Sequence, residues 1–240
     1  MFNLLLINYY SIIFNYQIFY YFLNKMSVSL INFNNISNST INNVWEIKNV
    51  LKDSNKIDND YKTIIYMNGV AGSGKSLICK KIKDYFKFNN KKCYVLSNDD
   101  FRYNENGYVY EKEYEKIVLQ KYTTKLKELV SDNKYKFIIL DNTHINYDRI
   151  LNTRECYKNN KVNEFIISIE PFKDITKHIN LNIHQVPEAG IKKQIEEWKK
   201  HRDNINNMKI KTLFLNREND NFIQENQINI LCNIINYLFV

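Results

Sequence analysis

From residue 61 onward the apolar positions follow two alternating rhythms. Short runs of β-branched and aromatic residues at 63–67, 93–96, 137–140, 165–169 and 212–215 read as buried strands. Between them the apolar residues recur at helical spacing. Ile78, Ile82, Tyr85 and Phe86 form one such face, and Tyr114, Ile117, Val118, Leu126 and Leu129 another within 111–130. Helices are also expected at 191–201 and 228–238, and one near 44–51 ahead of the first strand. Strands that are apolar on both faces and separated by helices imply a mostly parallel sheet covered on both sides. The expected fold class is therefore α/β, a three-layer sandwich with about five strands.

Ligands of such sheets collect beyond the carboxyl ends of the strands, so the residues there carry the chemistry. After the first strand stands Gly-Val-Ala-Gly-Ser-Gly-Lys-Ser, residues 69–76, which fits the Walker A spacing without a mismatch. Strand, loop and helix are the context this motif requires, and they narrow the fold to a P-loop NTPase. Glycines at 69, 72 and 74 permit dihedrals that a Cβ resists. The N–H groups can then turn toward phosphate oxygens, reinforced by the helix N-terminus. The nucleotide-binding set is Gly69, Val70, Ala71, Gly72, Ser73, Gly74, Lys75, Ser76 and Leu77. Lys75 is placed to reach the β- and γ-phosphates of ATP, and the Ser76 hydroxyl to ligate Mg²⁺. The bland alternative is a glycine-rich turn that binds nothing.

Two further strand ends carry polar blocks. After the second strand come Asp99, Asp100 and Arg102; Asp99 could orient and deprotonate an attacking hydroxyl, and Arg102 hold a charged acceptor. Either aspartate could instead cap the next short helix. After the third strand come Asp141, Asn142, Thr143 and His144. Asp141 is a candidate metal residue beside Ser76, and the other three can line the acceptor side. His144 could equally be a turn residue satisfied by backbone.

Composition refines the picture modestly. The net charge of +8 lies wholly on residues 61–240, because four lysines and four carboxylates cancel over residues 1–60. A basic surface suits a polyanionic partner such as nucleic acid, although 29 lysines against five arginines could also reflect an AT-rich coding sequence. The four cysteines fit neither a zinc site nor a disulfide framework, which points to reduced thiols and an intracellular, cytoplasmic or nuclear, protein. Residues 1–23 carry no charge yet are interrupted by Asn3, Asn8, Asn15 and Gln17. Three readings stay open: a weak membrane anchor, a helix packed on the domain, or an upstream stretch with the true start at Met26. The last is preferred, and no stable membrane association is expected unless the anchor is real. The expected organisation is a leader over 1–25, a loosely attached segment over 26–60, and the nucleotide-binding domain over 61–240. Oligomeric state is not legible.

The order of these blocks resembles the P-loop 5′-polynucleotide kinases, which include phage polynucleotide kinase and the kinase domains of DNA-repair and ubiquitin-ligase-binding proteins. Further similar pieces are the run from Gly107 to Tyr110, Glu170-Pro171, and Asn182-x-His184-x-Val186-Pro187. The resemblance covers roughly 62–200. It implies ATP-dependent transfer, with Mg²⁺, to the 5′-hydroxyl of RNA or DNA. It also implies catalytic roles for Asp99 as general base, Lys75 and Arg102, the last at the acceptor's phosphate. Asp141, Asn142, Thr143 and His144 would line the acceptor and metal side, and residues 177–193 would form a lid. One departure stands out: the family's lid arginine is replaced by Leu181, and no arginine occurs from 172 to 200. Lys177, Lys192 or Lys193 could substitute as point charges without the bidentate fork; His178 and His184 are weaker candidates. Two other functions remain in view, a P-loop kinase for a small metabolite and a non-catalytic, nucleotide-gated nucleic-acid-binding module.

Overall fold

The computed structural model describes residues 40–41, 45–48 and, from 60 on, all but 106, 109, 112, 218–219, 225–226, 230, 233 and 236–240. By contacts the chain divides into Met1–Ser39 and Thr40–Val240. The apolar leader and most of the segment up to residue 59 lie outside the described residues.

Within the second unit the strands are β1 (Thr40–Ile41), β2 (Trp45–Lys48), β3 (Lys62–Asn68), β4 (Cys93–Leu96), β5 (Tyr103–Asn104), β6 (Gly107–Tyr108), β7 (Phe137–Leu140), β8 (Val162–Ile169) and β9 (Lys211–Leu215). The helices are α1 (Lys75–Phe88), α2 (Glu115–Ser131), α3 (Tyr147–Arg154), α4 (Ile175–Asn180) and α5 (Glu188–Asn206). The main sheet runs β1-β2-β9-β8-β3-β7-β4, while β5 and β6 pair as a separate hairpin. Five strands, β3, β4, β7, β8 and β9, are mutually parallel; β1 and β2 extend the β9 edge in antiparallel sense. The α/β three-layer sandwich expected from the sequence is the fold observed.

The period of two along β3 sorts its side chains between two cores. Ile65 and Met67 face one side with Ile78, Ile82 and Phe86 of α1, where Phe86 stacks on Phe137 at 3.9 Å. Ile64 and Tyr66 face the other with Tyr122, Leu126 and Leu129 of α2 and Ile150 of α3. Because the five central strands are parallel, their carboxyl ends share one rim, and Asn68, Leu96, Leu140, Ile169 and Leu215 all end there.

Two expectations are corrected. The segment near 44–51 contains a strand rather than a helix: Trp45–Lys48 alternates apolar and polar residues and pairs with Leu215–Thr212 of the edge strand β9. A free sheet edge overrides weak local propensity. In α2, Ile117 is 45% exposed and Tyr122 is buried in its place. The buried row is 118, 122, 126 and 129, at i, i+4, i+8 and i+11, which leaves 117 one step off the seam. Past β9, helical residues are described at 227–229, 231–232 and 234–235, where a closing helix is expected.

Candidate functional site

The site begins where β3 ends. Asn68 is buried there; its Nδ2 donates to the His144 carbonyl at 2.5 Å, and its Oδ1 accepts from Ser168 Oγ at 2.6 Å and Trp198 Nε1 at 2.9 Å. One side chain thus ties β3 to β8, to α5 and to the loop after β7. The Gly69 N–H adds a bond to the Thr143 carbonyl at 2.9 Å, so the phosphate loop departs from a fixed base.

Inside that loop the carbonyls are claimed by fixed donors. Lys75 Nζ bonds the Val70 carbonyl at 2.7 Å, His178 Nδ1 the Ala71 carbonyl at 3.0 Å, and Arg217 Nη2 the Ser73 carbonyl at 2.6 Å. The Ala71 N–H goes to Gln194 Oε1 at 2.8 Å and the Ser73 N–H to the Val70 carbonyl at 3.2 Å, which leaves the other loop amides and the first amides of α1, without helical partners, for a ligand. Gly72 and Gly74 make this turn at φ of 67° and 88°. His178 can hold its place only as the neutral tautomer, because its Nε2 accepts the Phe172 N–H at 2.9 Å. Burial pushes its pKa down in the same direction. Burial likewise lowers the Lys75 ammonium, against the attraction of Asp141 and then, more weakly, Asp99.

Arg217 has no local signature in the sequence beyond being the first cation after β9. It is buried and stacked 3.7 Å over the Phe172 ring, and its Nε bonds the Glu170 carbonyl at 2.7 Å. Burial brings its guanidinium down to about 10, with Asp220 and Glu170 opposing.

A cleft of about 1450 Å³ joins this loop to the ends of β4 and β7. The two aspartates after β4 divide their work. Asp100 Oδ2 takes the Ser97 N–H at 3.0 Å and braces the 3₁₀ turn Asp99–Phe101, whereas Asp99 lines the cleft. Asp99 Oδ1 accepts from Arg102 Nη1 at 2.6 Å and from the Tyr108 hydroxyl at 2.8 Å; its Oδ2 meets His184 Nε2 at 3.2 Å. Burial, followed by the bond to Asp99, raises the Tyr108 phenol to about 12.

Arg102 is engaged on both sides. Glu115 grips it at 2.8 and 2.6 Å and Asp99 at 2.6 Å. Burial alone would lower its pKa, but these carboxylates outweigh it and hold the guanidinium above its usual value. Arg149, on the first turn of α3, lines the same cleft, and among the described residues no carboxylate pairs with it.

After β7 the polar block is largely spent on the frame. Asn142 Oδ1 accepts the Asn98 N–H at 2.9 Å, and Thr143 supplies the carbonyl bonded by Gly69. His144 sits at φ 38° and is buried; its Nδ1 donates to the Met67 carbonyl at 3.0 Å and its ring lies edge-on to Tyr66. Burial drives its pKa from 6.5 to about 4. Between those values the unfolded chain binds a proton that the folded one refuses, so stability falls as pH drops from 6.5 and levels off below about 4. Going from pH 7 to pH 5, this residue should remove ~2 kcal/mol of unfolding free energy. In urea titrations at the two pH values, His144→Asn, which tolerates the positive φ, should shrink the difference by that amount; an unchanged difference would contradict the assignment.

Asp141 is the exception in this block. Its Oδ1 is buried with no hydrogen-bond partner, and so is Ser73 Oγ in the loop opposite. The orphaned Asp141 oxygen and the exposed Ser76 hydroxyl line one cleft, and both are hard oxygen ligands that fit a divalent cation. Among the described residues no group of three or more His, Cys, Asp or Glu could hold a metal. Such an ion would therefore depend on phosphate oxygens and water for its remaining ligands, as Mg²⁺ at nucleotide sites does.

In the lid region, Leu181 is 40% exposed and lines the cleft. Of the lysines that could replace an arginine there, Lys177 is bound to Asp220 at 3.1 Å and Lys192 to Glu188 at 2.7 Å; Lys193 lines the cleft. No helix among the described residues is long and apolar enough to cross a membrane.

A family model described as "Chromatin associated protein KTI12" matches residues 63–185, just over half of the chain. No curated protein matches. Among solved structures, Kti12 of Chaetomium thermophilum in complex with ADP-AlF3 is similar at a TM-score of 0.50 and 11% identity, covering 74% of this chain and 99% of that one. A chain of the Pnkp1/Rnl/Hen1 RNA repair complex is similar at 0.49 and 17%, covering 60% of this chain; the match spans only 46% of that chain. Shikimate kinase from Acinetobacter baumannii, in complex with shikimate, follows at 0.45 and 15%, covering 75% and 93%. At these identities the likeness concerns the fold, which is that of the P-loop kinases.

Proposed function

The chain belongs to the family of the chromatin associated protein KTI12, and within that family we propose that it is a phosphotransferase passing the γ-phosphate of ATP to the 5′-hydroxyl of an RNA or DNA end. One observation carries the proposal: Asp99 and Lys75 line a single cleft. The Asp99 side of the cleft can therefore serve activation of a hydroxyl while Lys75 holds the phosphoryl being moved. The loop amides and Lys75 bind the phosphates, and Asp141 with Ser76 would hold Mg²⁺, which neutralises charge on the triphosphate. The motif resemblance to polynucleotide kinases supplies the acceptor class, and the chromatin association for which the family is named agrees with a nuclear or cytoplasmic nucleic-acid partner.

The acceptor's anionic group is assigned here to Arg149 rather than Arg102. Two carboxylates already neutralise Arg102, while Arg149 reaches the cleft unpaired among the described residues. A second reading, a nucleotide-gated binding module without transfer, draws on Leu181 standing where the resemblance calls for an arginine, and on Lys177 being tied to Asp220.

Labelled ATP, Mg²⁺ and oligonucleotides with 5′-hydroxyl or 5′-phosphate ends separate the two. Label should appear on the 5′-hydroxyl oligonucleotide alone. Arg149→Ala should raise the oligonucleotide KM by ~10-fold, the loss of one charge-assisted bond, and leave the ATP KM unchanged. Tight nucleotide binding with no label on either oligonucleotide would hand the case to the binding module.

A further inference from the structure

Asp99 is usually the group one would ask to take the proton, yet its carboxylate is already committed. Arg102 and Tyr108 occupy Oδ1, and His184 occupies Oδ2. Two donors already fill the lone pairs of Oδ1, and the His184 nitrogen stands beside Oδ2. The neighbouring imidazole is differently placed. His184 Nε2 lies 3.2 Å from Asp99 Oδ2, and in the neutral tautomer that keeps its proton on Nε2 the other ring nitrogen is an acceptor. Among the described residues nothing bonds that nitrogen. His184 is 28% exposed and lines the same cleft as Lys75.

The ring is also held in plane. It stacks on Tyr108 at 4.8 Å with 25° between the planes, and Tyr108 is itself fixed by its bond to Asp99. The chain carrying it is a locked turn: Asn182 Nδ2 donates to the Val186 carbonyl at 2.7 Å, Gln185 adopts φ 53°, and Pro187 opens α5. The titratable groups in contact with the ring are the Asp99 carboxylate and the Tyr108 phenol. A carboxylate that fixes tautomer and orientation, and an imidazole that accepts the proton, is an arrangement known from hydrolases on other folds.

We propose that His184 and Asp99 form a catalytic dyad, in which His184 Nδ1 takes the proton of the attacking hydroxyl or water and Asp99 orients the ring. The proposal rests on the reading that this cleft transfers a phosphoryl group. The attacking oxygen forms its bond to the γ-phosphorus while the bond from that phosphorus to the β,γ-bridging oxygen breaks. ADP leaves with the electron pair, and the proton from the attacking O–H goes to His184. Because His184 comes from the lid region, the base is present only when that segment lies against Asp99, which makes closure a condition for chemistry.

The test compares wild type, His184→Gln and His184→Ala, with folding checked by thermal melts. Both transfer to a 5′-hydroxyl oligonucleotide and ATP hydrolysis are measured. His184→Gln can still donate to Asp99 but cannot accept the proton in the same way. It should lower kcat by ~10²–10⁴-fold with the ATP KM within about twofold. Added imidazole should restore part of the activity of His184→Ala and none to Asp99→Asn. A kcat for His184→Gln within about threefold of wild type overturns the dyad, and if transfer persists the kinase reading stands. Hydrolysis that depends on His184, with no label on any oligonucleotide, keeps the dyad and removes the polynucleotide acceptor. Absence of both activities in wild type overturns both.

Discussion

Asp99→Asn should lower kcat for transfer by about 10⁴-fold while ATP binding stays at the wild-type level. The substitution preserves shape and removes one acceptor. If the remaining amide oxygen keeps Arg102 and the Tyr108 hydroxyl, at the positions now 2.6 and 2.8 Å away, the amide NH2 must face His184 Nε2. That nitrogen then has to accept, so the proton moves to the other ring nitrogen and the imidazole presents a donor to the nucleophile. If the amide is flipped instead, its NH2 confronts two donors and the Arg102–Tyr108–Glu115 cluster comes apart. Either way the base is lost. The phosphate loop is untouched, since its carbonyls are held by Lys75, His178 and Arg217. Titration calorimetry with ATP alongside single-turnover transfer checks both halves. Transfer at the wild-type rate would remove Asp99 from the mechanism, and a parallel loss of ATP affinity would make it a structural residue.

The parts of this protein that the sequence made legible are the parts fixed by local rules. The five parallel strands are unbroken apolar runs, and the phosphate loop is a glycine spacing with a strand before it and a helix after it. Both are set within a few residues. The misread strand Trp45–Lys48 depends on an edge, that of β9, which lies far along the chain. Arg102 was legible as a cation near Asp99, but not its neutralisation by Glu115, which becomes a neighbour only when the first turn of α2 packs over the 3₁₀ turn. Arg149 and Arg217 carry no motif at all and reach the cleft through the packing of α3 and the turn after β9. His184 stood out in sequence only within the Asn182-x-His184-x-Val186-Pro187 block and as a weak stand-in for a lid arginine. Its contact with Asp99 joins two segments on opposite sides of the cleft, and no spacing rule encodes it.

Gly72→Ala should weaken nucleotide binding at least ~100-fold, and Gly74→Ala by only ~10-fold, although both glycines sit at positive φ. The conformational penalty is common to both, ~1–2 kcal/mol for a side chain in the left-handed region. The surroundings differ. A Cβ on Gly74 would meet nothing nearer than Ile223 Cδ1 at 3.8 Å, an ordinary contact. A Cβ on Gly72 would fall 2.2 Å from the His178 carbonyl oxygen and 2.9 Å from its carbonyl carbon. Those are backbone atoms, and His178 cannot retreat, being bonded to the Ala71 carbonyl on one side and the Phe172 N–H on the other. The loop must yield instead, and with it the carbonyls that keep its amides turned to the phosphates. The His178–Ala71 bond should break in the same variant, which lengthens the reach of the defect into the lid region. Fluorescent-nucleotide titrations of the two variants, with urea melts to separate affinity from global stability, provide the comparison. Equal losses at 72 and 74 would mean that backbone strain alone matters, and that the packing of His178 against the loop does not set its shape.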